Sequence, residues 1–200
     1  MRVTLVLLGL NIAVFILQNM VAGFTEIFAL TPAFALNGAY WQFITYMFLH
    51  GDIMHITLNM FVLLMFGGVV EKELGWDRYI MLYIISGIGS AFLFMLLTGE
   101  IMTLMLGASG AIFAVLTAYG IMFPKSIILV PPGIPMPAMF AVMAFAGIEL
   151  FFGLTGLERG IANFGHLGGI VTGAALMLYW RRFGRRRRRR GPVTYEFIWE

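Results

Sequence analysis

Five polar residues of the types that perform serine chemistry lie within apolar segments of this sequence. The segment 50–59 supplies His50, His55 and Asn59, and two later segments supply Ser109 and His166. A serine hydroxyl is a poor nucleophile unless a base lies beside it, and polar groups inside a bilayer are expensive to bury. The combination therefore predicts a functional site, with Ser109 as nucleophile and His166 as base.

The composition places the chain in a membrane. Sixty per cent of the residues are hydrophobic and 12% are charged, whereas a typical soluble domain has about 25% charged residues. We expect one membrane domain over residues 1–182 and a basic cytoplasmic tail over residues 183–200. The chain contains no cysteine, which excludes disulfides, thiolate metal sites and a cysteine nucleophile.

Apolar runs of about 20 residues, the length that crosses a bilayer core, predict an all-α polytopic membrane protein with six transmembrane helices. The runs cover residues 3–22, 52–70, 78–98, 108–123, 136–155 and 162–180. One alternative is that the first run is a signal peptide, because Arg2 precedes it and small residues follow it. Its removal would leave five spans.

The basic residues predict the orientation of the chain. With six spans, twelve of the thirteen Lys and Arg residues lie on the side of both termini, and Arg159 lies on the other side. Because positive charge concentrates in cytoplasmic segments, we expect both termini in the cytoplasm and the aromatic-rich loop 23–51 at the outer interface. The run Arg185–Arg190 is interpreted as an anchor for anionic lipid rather than as a nucleic-acid site.

The polar side chains are predicted to lie at similar depths. With a rise of about 1.5 Å per residue, Ser109 and His166 each lie about 21 Å from the cytoplasmic end of their span. By the same rise, Asn59 and His55 lie about 18 and 24 Å from the end of theirs. His55 and Asn59 are four residues apart and so share a helix face, from which both can donate to an oxyanion formed at Ser109.

Small residues indicate which helices come close together. The sixth span has a small residue at every fourth position: Gly165, Gly169 and Gly173. The fourth span has the same spacing: Gly110, Ala114 and Ala118. Because this pattern lets helix backbones touch, facing stripes would bring Ser109 and His166 within about 3 Å.

Other chemistries fit the sequence less well. The three histidines could form a metal site, but no carboxylate lies at ligand spacing in the same helices, so we expect neither a metal nor a cofactor. A His-Glu-x-x-His zinc motif is absent, and the two aspartates, Asp52 and Asp77, lie near span ends. Glu149 is the acidic residue well inside a span. It could face the bundle and bond a neighbouring helix or lie near the external end, and a structural role is favoured for it.

At these residues the chain resembles the rhomboid family of intramembrane serine proteases in its basic six-helix form. The resemblance rests on three motifs: His50-x4-His55-x3-Asn59, Gly107-Ala-Ser109-Gly110 and Gly165-His166-Leu-Gly-Gly169. It implies a Ser109–His166 dyad with no acidic third member. It also implies an oxyanion hole made of the Ser109 backbone N–H and the His55 and Asn59 side chains.

The resemblance extends to supporting residues. Gly107 belongs to the serine motif, and His50 lies at the mouth of the second span. Phe113 stands where the family carries an aromatic ring, often Tyr, against the catalytic histidine. The Trp-Arg motif common in the family's first loop reads Trp41-Gln42 here.

The family's activity implies a serine endopeptidase that hydrolyses peptide bonds in or near transmembrane segments of other membrane proteins. The implied partners are transmembrane protein substrates and membrane lipids, and the implied location is the plasma membrane. A non-catalytic rhomboid-like protein that binds membrane helices is the main alternative, although the retention of Ser109 and His166 argues against it. A transporter or channel would suit the glycine stripes, but no charged pathway crosses the predicted bundle.

Overall fold

The computed structural model describes residues 1–130, 133–157 and 163–183, which are mostly helical. In chain order the helices are α1 (Arg2–Met20), α2 (Phe24–Phe28), α3 (Pro32–Leu36), α4 (Gln42–Thr45), α5 (Ile53–Leu74), α6 (Trp76–Thr98), α7 (Ser109–Met122), α8 (Ala138–Thr155) and α9 (Asn163–Phe183). A 3₁₀ turn, Tyr46–Phe48, follows α4.

Four of these helices, α1, α5, α6 and α8, are long and apolar enough to cross a membrane. Helix α7 is apolar but has only 14 residues. Helix α9 has 21 residues, among them Asn163, His166 and two terminal arginines. The mostly helical membrane class is confirmed, and the count of six spans stays a prediction.

A two-stranded hairpin is an element that the sequence analysis did not predict. Strand β1 (Ile127–Val130) pairs antiparallel with β2 (Ile134–Pro137), and Ile127 lies opposite Pro137. The isoleucines favour extended backbone, while the prolines disfavour helix. The all-α prediction is therefore corrected by this hairpin, and α8 begins at Ala138 rather than at residue 136.

Glu71 ties the start of α1 to the end of α5. Its carboxylate accepts hydrogen bonds from Val3 N at 3.1 Å, Thr4 N at 2.9 Å and Thr4 Oγ1 at 2.7 Å. The first N–H groups of a helix lack partners within the helix and lie at the positive end of its dipole. Glu71 satisfies two of them. Helix α5 continues past the predicted end at residue 70 to Leu74. It stops at Gly75, whose φ is +86°.

Glycines set the distance between α9 and its neighbours α6 and α7. A Cβ placed on Gly173 would lie 2.7 Å from the Ala114 Cβ, and one placed on Gly169 would collide with the Gly110 carbonyl oxygen. A Cβ on Gly168 would lie 2.7 Å from the Cα of Ser90. The small residues of α7 and α9 thus face each other, which is the arrangement that would bring Ser109 and His166 together.

The segment between α1 and α5 is bonded to the segment that precedes α7. Leu30 and Met105 exchange backbone hydrogen bonds of 2.8 and 2.9 Å. Gly107 N donates to the carbonyl of Tyr46 at 3.0 Å, and the hydroxyl of Tyr46 donates to the carbonyl of Gly87 at 2.7 Å. The backbone that leads into α7 is thus held by the first loop, and the loop is held by α6.

Candidate active site

Ser109 is the first residue of α7. The chain approaches it through Gly107, whose φ of +127° is rarely adopted by residues with a side chain. No side chain caps the start of α7, and the first N–H groups of a helix have no partner within the helix. Together with the helix dipole, these groups favour negative charge close to the Ser109 side chain.

His166 lies against Ser109. Ser109 Oγ is 2.7 Å from His166 Nε2, within the range required of a nucleophile and its base. Residue 109 is half-buried, and the His166 side chain is 14% exposed. The contact depends on the close approach of α7 and α9, because Gly169 and Gly173 lie directly against Gly110 and Ala114.

His55 borders the same space as Ser109. The point where a Cβ of Gly107 would stand is 2.9 Å from His55 Nε2 and 3.7 Å from Ser109 Oγ. His55 Nδ1 accepts a hydrogen bond from Gly51 N at 3.3 Å, so the proton of the neutral ring is on Nε2. His55 therefore presents an N–H donor toward the space beside Ser109.

Asn59 lies one turn further along α5 and is buried. Its side-chain amide donates to the carbonyl of His55 at 2.9 Å. A side-chain amide has two N–H donors, so this bond fixes the orientation of the amide and uses one of them. His55 and Asn59 are thus linked on one helix, as their spacing predicts.

His50 is buried behind His55, and their ring centroids are 5.1 Å apart. Its backbone N–H donates to Gln18 Oε1 at 3.1 Å, and its carbonyl accepts from Gln18 Nε2 at 2.8 Å. Burial, and secondarily the neighbouring His55, lowers the pKa of His50 to about 4. His50 is thus a neutral ring that packs against His55, consistent with the supporting place expected for it.

Phe113 packs on the ring of His166. The ring centroids are 4.8 Å apart and the planes are inclined by 33°. On its other side Phe113 makes an edge contact with Phe145 of α8, at 6.0 Å between centroids. The expected aromatic contact with His166 is present without a tyrosine hydroxyl.

Glu149 of α8, for which the sequence favours a structural role, lies against His166. Its Oε1 lies 2.9 Å from His166 Nδ1, and its side chain is 13% exposed. Glu149 thus faces a neighbouring helix, α9, which is one of the two placements that the sequence leaves open for it. The signal that could have found it is that an ionisable residue inside a membrane span is functional by default.

The first loop is anchored by Trp41 and Gln42. Gln42 is buried; its Oε1 accepts from Thr31 N at 3.0 Å and its Nε2 donates to the carbonyl of Ile27 at 3.1 Å. Trp41 Nε1 donates to the same carbonyl at 3.0 Å. The neutral Gln42 side chain therefore binds the loop backbone where the family commonly has an arginine.

Two further predictions concern charged and metal-ligating groups. Within the described part of the chain, no group of three or more His, Cys, Asp or Glu residues is placed to hold a metal ion. Arg159 and the basic run Arg185–Arg190 lie outside the described residues. Their proposed roles therefore stay predictions.

Comparison with known proteins identifies the family. A rhomboid domain model matches residues 37–183. RHOMBOID-like protein 6, mitochondrial, of Arabidopsis thaliana is 34% identical over 136 residues, which are 68% of this chain and 42% of the relative. Rhomboid-type serine protease 2 of Emericella nidulans is 34% identical over 139 residues, which are 70% of this chain and 26% of the relative.

A bacterial relative is matched over more of its length. Rhomboid protease GlpG of Klebsiella pneumoniae is 29% identical over 189 residues, which are 92% of this chain and 65% of the relative. By contrast, the chain spans about two fifths of the length of the plant relatives it matches. The match to the domain model covers more than half of the chain, and with these similarities it shows that the chain belongs to the rhomboid family of membrane proteins.

Proposed function

We propose that this chain is an intramembrane serine endopeptidase that hydrolyses peptide bonds in or near transmembrane segments of other membrane proteins. The observation that carries the proposal is the 2.7 Å contact between Ser109 Oγ and His166 Nε2. Membership of a family whose relatives include named serine proteases supports it.

In the proposed reaction Ser109 is the nucleophile and His166 is the base. Ser109 Oγ bonds to the carbonyl carbon of the substrate while its proton passes to His166 Nε2. The C–N bond then breaks, and His166 returns the proton to the leaving nitrogen. Water hydrolyses the acyl-enzyme by the same route, which regenerates the Ser109 hydroxyl.

Negative charge on the substrate oxygen is stabilised by donors on two helices. The Ser109 backbone N–H lies at the positive end of α7, and the His55 Nε2–H borders the same space. We assign the second N–H of Asn59 to the same oxyanion hole. Such fixed donors are effective because they need no reorganisation when charge develops.

The substrate segment must unwind to reach Ser109. Within a helix each backbone carbonyl accepts a hydrogen bond from the N–H four residues later, so its peptide bond is shielded. We propose six spans with both termini in the cytoplasm of a plasma-membrane protein, which places the site near the outer face. The membrane domain would cover residues 1–182, and the tail 183–200 would contact anionic lipid through Arg185–Arg190.

The test is cleavage of a model transmembrane substrate, combined with labelling by a fluorophosphonate probe. Wild-type protein should cleave the substrate and be labelled at Ser109. Ser109→Ala should abolish both, and His166→Ala should abolish cleavage and make Ser109 unreactive, because the base is lost. Near wild-type cleavage by Ser109→Ala would overturn the proposal. A folded wild-type protein that binds transmembrane helices but neither cleaves nor labels would favour the non-catalytic alternative.

A further inference from the structure

The carboxylate of Glu149 lies beside the ring nitrogen of His166 that faces away from Ser109. We infer that Glu149 is a positioning residue for His166, which holds the imidazole in its productive tautomer and stabilises its charged form. This inference rests on the proposed function and adds an acidic member to the Ser109–His166 pair.

The geometry of α8 directs Glu149 toward His166. Phe145, Glu149 and Gly153 repeat every fourth residue and therefore share one face of α8. Phe145 contacts Phe113, Glu149 contacts His166, and a Cβ on Gly153 would lie 2.9 Å from the ring of Phe164. Contacts on both sides of Glu149 thus hold this face of α8 against α7 and α9.

The two contacts of His166 require one tautomer. Ser109 can pass its proton only to an unprotonated Nε2, so the proton of the neutral ring must be on Nδ1. An ionised carboxylate accepts hydrogen bonds and donates none, so Glu149 at 2.9 Å from Nδ1 selects this form. Glu149 Oε1 is close enough to Nδ1 for a hydrogen bond, but it does not lie along the direction of the Nδ1–H bond. Hydrogen bonds in active sites often become aligned only when substrate is bound.

The same contact stabilises the charged ring. When Ser109 Oγ bonds to the substrate carbon, its proton moves to Nε2, and His166 then carries a positive charge and two N–H groups. Glu149 keeps its contact with the Nδ1–H, while the proton on Nε2 is passed to the leaving nitrogen. Both side chains are largely buried, at 14% and 13% exposed, so their attraction is only weakly screened.

The burial of Glu149 argues against a purely structural anchor. Its Oε2 is buried and has no hydrogen-bond partner among the described residues. An ionised carboxylate with so few partners is costly within a membrane span, and an apolar side chain would pack α8 against α9 without that cost. The negative charge of the carboxylate is useful because a positive charge forms on the neighbouring His166 ring during turnover.

The experiment compares Glu149→Gln, which keeps the shape and loses the charge, with Glu149→Leu, which loses the acceptor as well. Leu150→Ala is the matched control, because Leu150 is the next residue on α8 and is exposed. We expect kcat to fall about tenfold in Glu149→Gln and about 10- to 100-fold in Glu149→Leu, with little change in KM. Leu150→Ala should retain the wild-type kcat.

Nitrogen-15 NMR of histidine-labelled protein provides a second measurement. The chain has three histidines, so single substitutions assign each ring. His166 should carry its proton on Nδ1 in the wild type and lose that preference in Glu149→Leu.

The outcomes separate the two proposals. Wild-type kcat in both Glu149 variants, or an unchanged His166 tautomer in Glu149→Leu, would overturn the role of Glu149. The proposed protease activity would still stand in that case if the Ser109→Ala variant were inactive. Activity that persists in Ser109→Ala would overturn the protease itself. If Glu149→Leu does not fold, the isosteric Glu149→Gln variant decides the question through its kcat, since a wild-type kcat there would overturn the role of Glu149.

Discussion

The polar residues on α5 are oriented by contacts with the backbone around them. Gly51 N fixes the tautomer of His55, and the carbonyl of His55 fixes the amide of Asn59. Asp52 caps the start of α5 by accepting from His55 N at 2.8 Å. In the proposed protease these bonds would orient donors before any substrate arrives, which is the arrangement that electrostatic stabilisation of a transition state needs.

Loss of one oxyanion donor should slow turnover more than it weakens binding. We expect Asn59→Ala to lower kcat about 100-fold with little change in KM, because the donor is most useful once negative charge forms. His55→Ala should act in the same direction. The double variant should lose less than the product of the single effects if both donors serve one oxygen, as we propose.

The measurement is steady-state cleavage of the model substrate in detergent. Leu58→Ala is the control, because Leu58 precedes Asn59 on α5 and is exposed. Fully multiplicative losses in the double variant would show that His55 and Asn59 act at different places.

The sequence predicted these site residues unequally well. Ser109, His166 and His55 could be proposed because their motifs and depths agree, and the structure brings them to one small space. Glu149 could be singled out as an ionisable residue inside a span, but its contact with His166 could not be predicted, because contacts of Phe145 and Gly153 with other helices set the position of α8. The spacing of Glu149 within α8 does not indicate which neighbouring helix its side chain will meet.

At the level of helices, the site depends on how closely α7 and α9 pack. Gly169 lies against the carbonyl of Gly110, so no side chain fits between the two backbones. The predicted span boundaries lie within four residues of the observed helix ends. The sequence does not predict the hairpin. Its prolines indicate that helix is interrupted there, but they do not indicate that β1 and β2 pair.

Gly169→Ala should separate α7 from α9 and impair the site. A methyl group there meets backbone atoms, and overpacking of this kind costs about 1–3 kcal/mol. We expect a lower melting temperature and slower fluorophosphonate labelling of Ser109. Gly147→Ala is the matched control, because nothing lies within 4 Å of a Cβ at that helical position.

The control should be neutral or stabilising by about 0.4–1 kcal/mol, since alanine restricts the unfolded chain more than glycine does. Equal behaviour of the two variants in thermal unfolding would contradict a packing role specific to Gly169.

For the whole molecule, the helix ends that carry basic residues meet at one end of the bundle. Glu71 brings the start of α1 to the end of α5. The guanidinium of Arg78, at the start of α6, lies 5.8 Å from the ring of Trp180 near the end of α9. This arrangement agrees with the charge pattern that predicts a cytoplasmic end.

The orientation can be tested with single cysteines, because the chain has none of its own. We expect a cysteine at Asn37, which is exposed between α3 and α4, to react with an impermeant maleimide in intact cells. A cysteine at Lys125, which is exposed between α7 and β1, should react only after the membrane is permeabilised. The reverse pattern would invert the proposed topology.

The placement of the two reacting side chains on different helices also determines when the site can exist. Ser109 begins α7, whereas His166 is 57 residues later on α9. During synthesis the N-terminal helices emerge first, so a growing chain holds the serine for some time without its base. The same is true of the contact with Glu149, which needs α8 and α9 together. A proposed protease built in this way would stay inert toward neighbouring nascent membrane proteins until α9 is inserted.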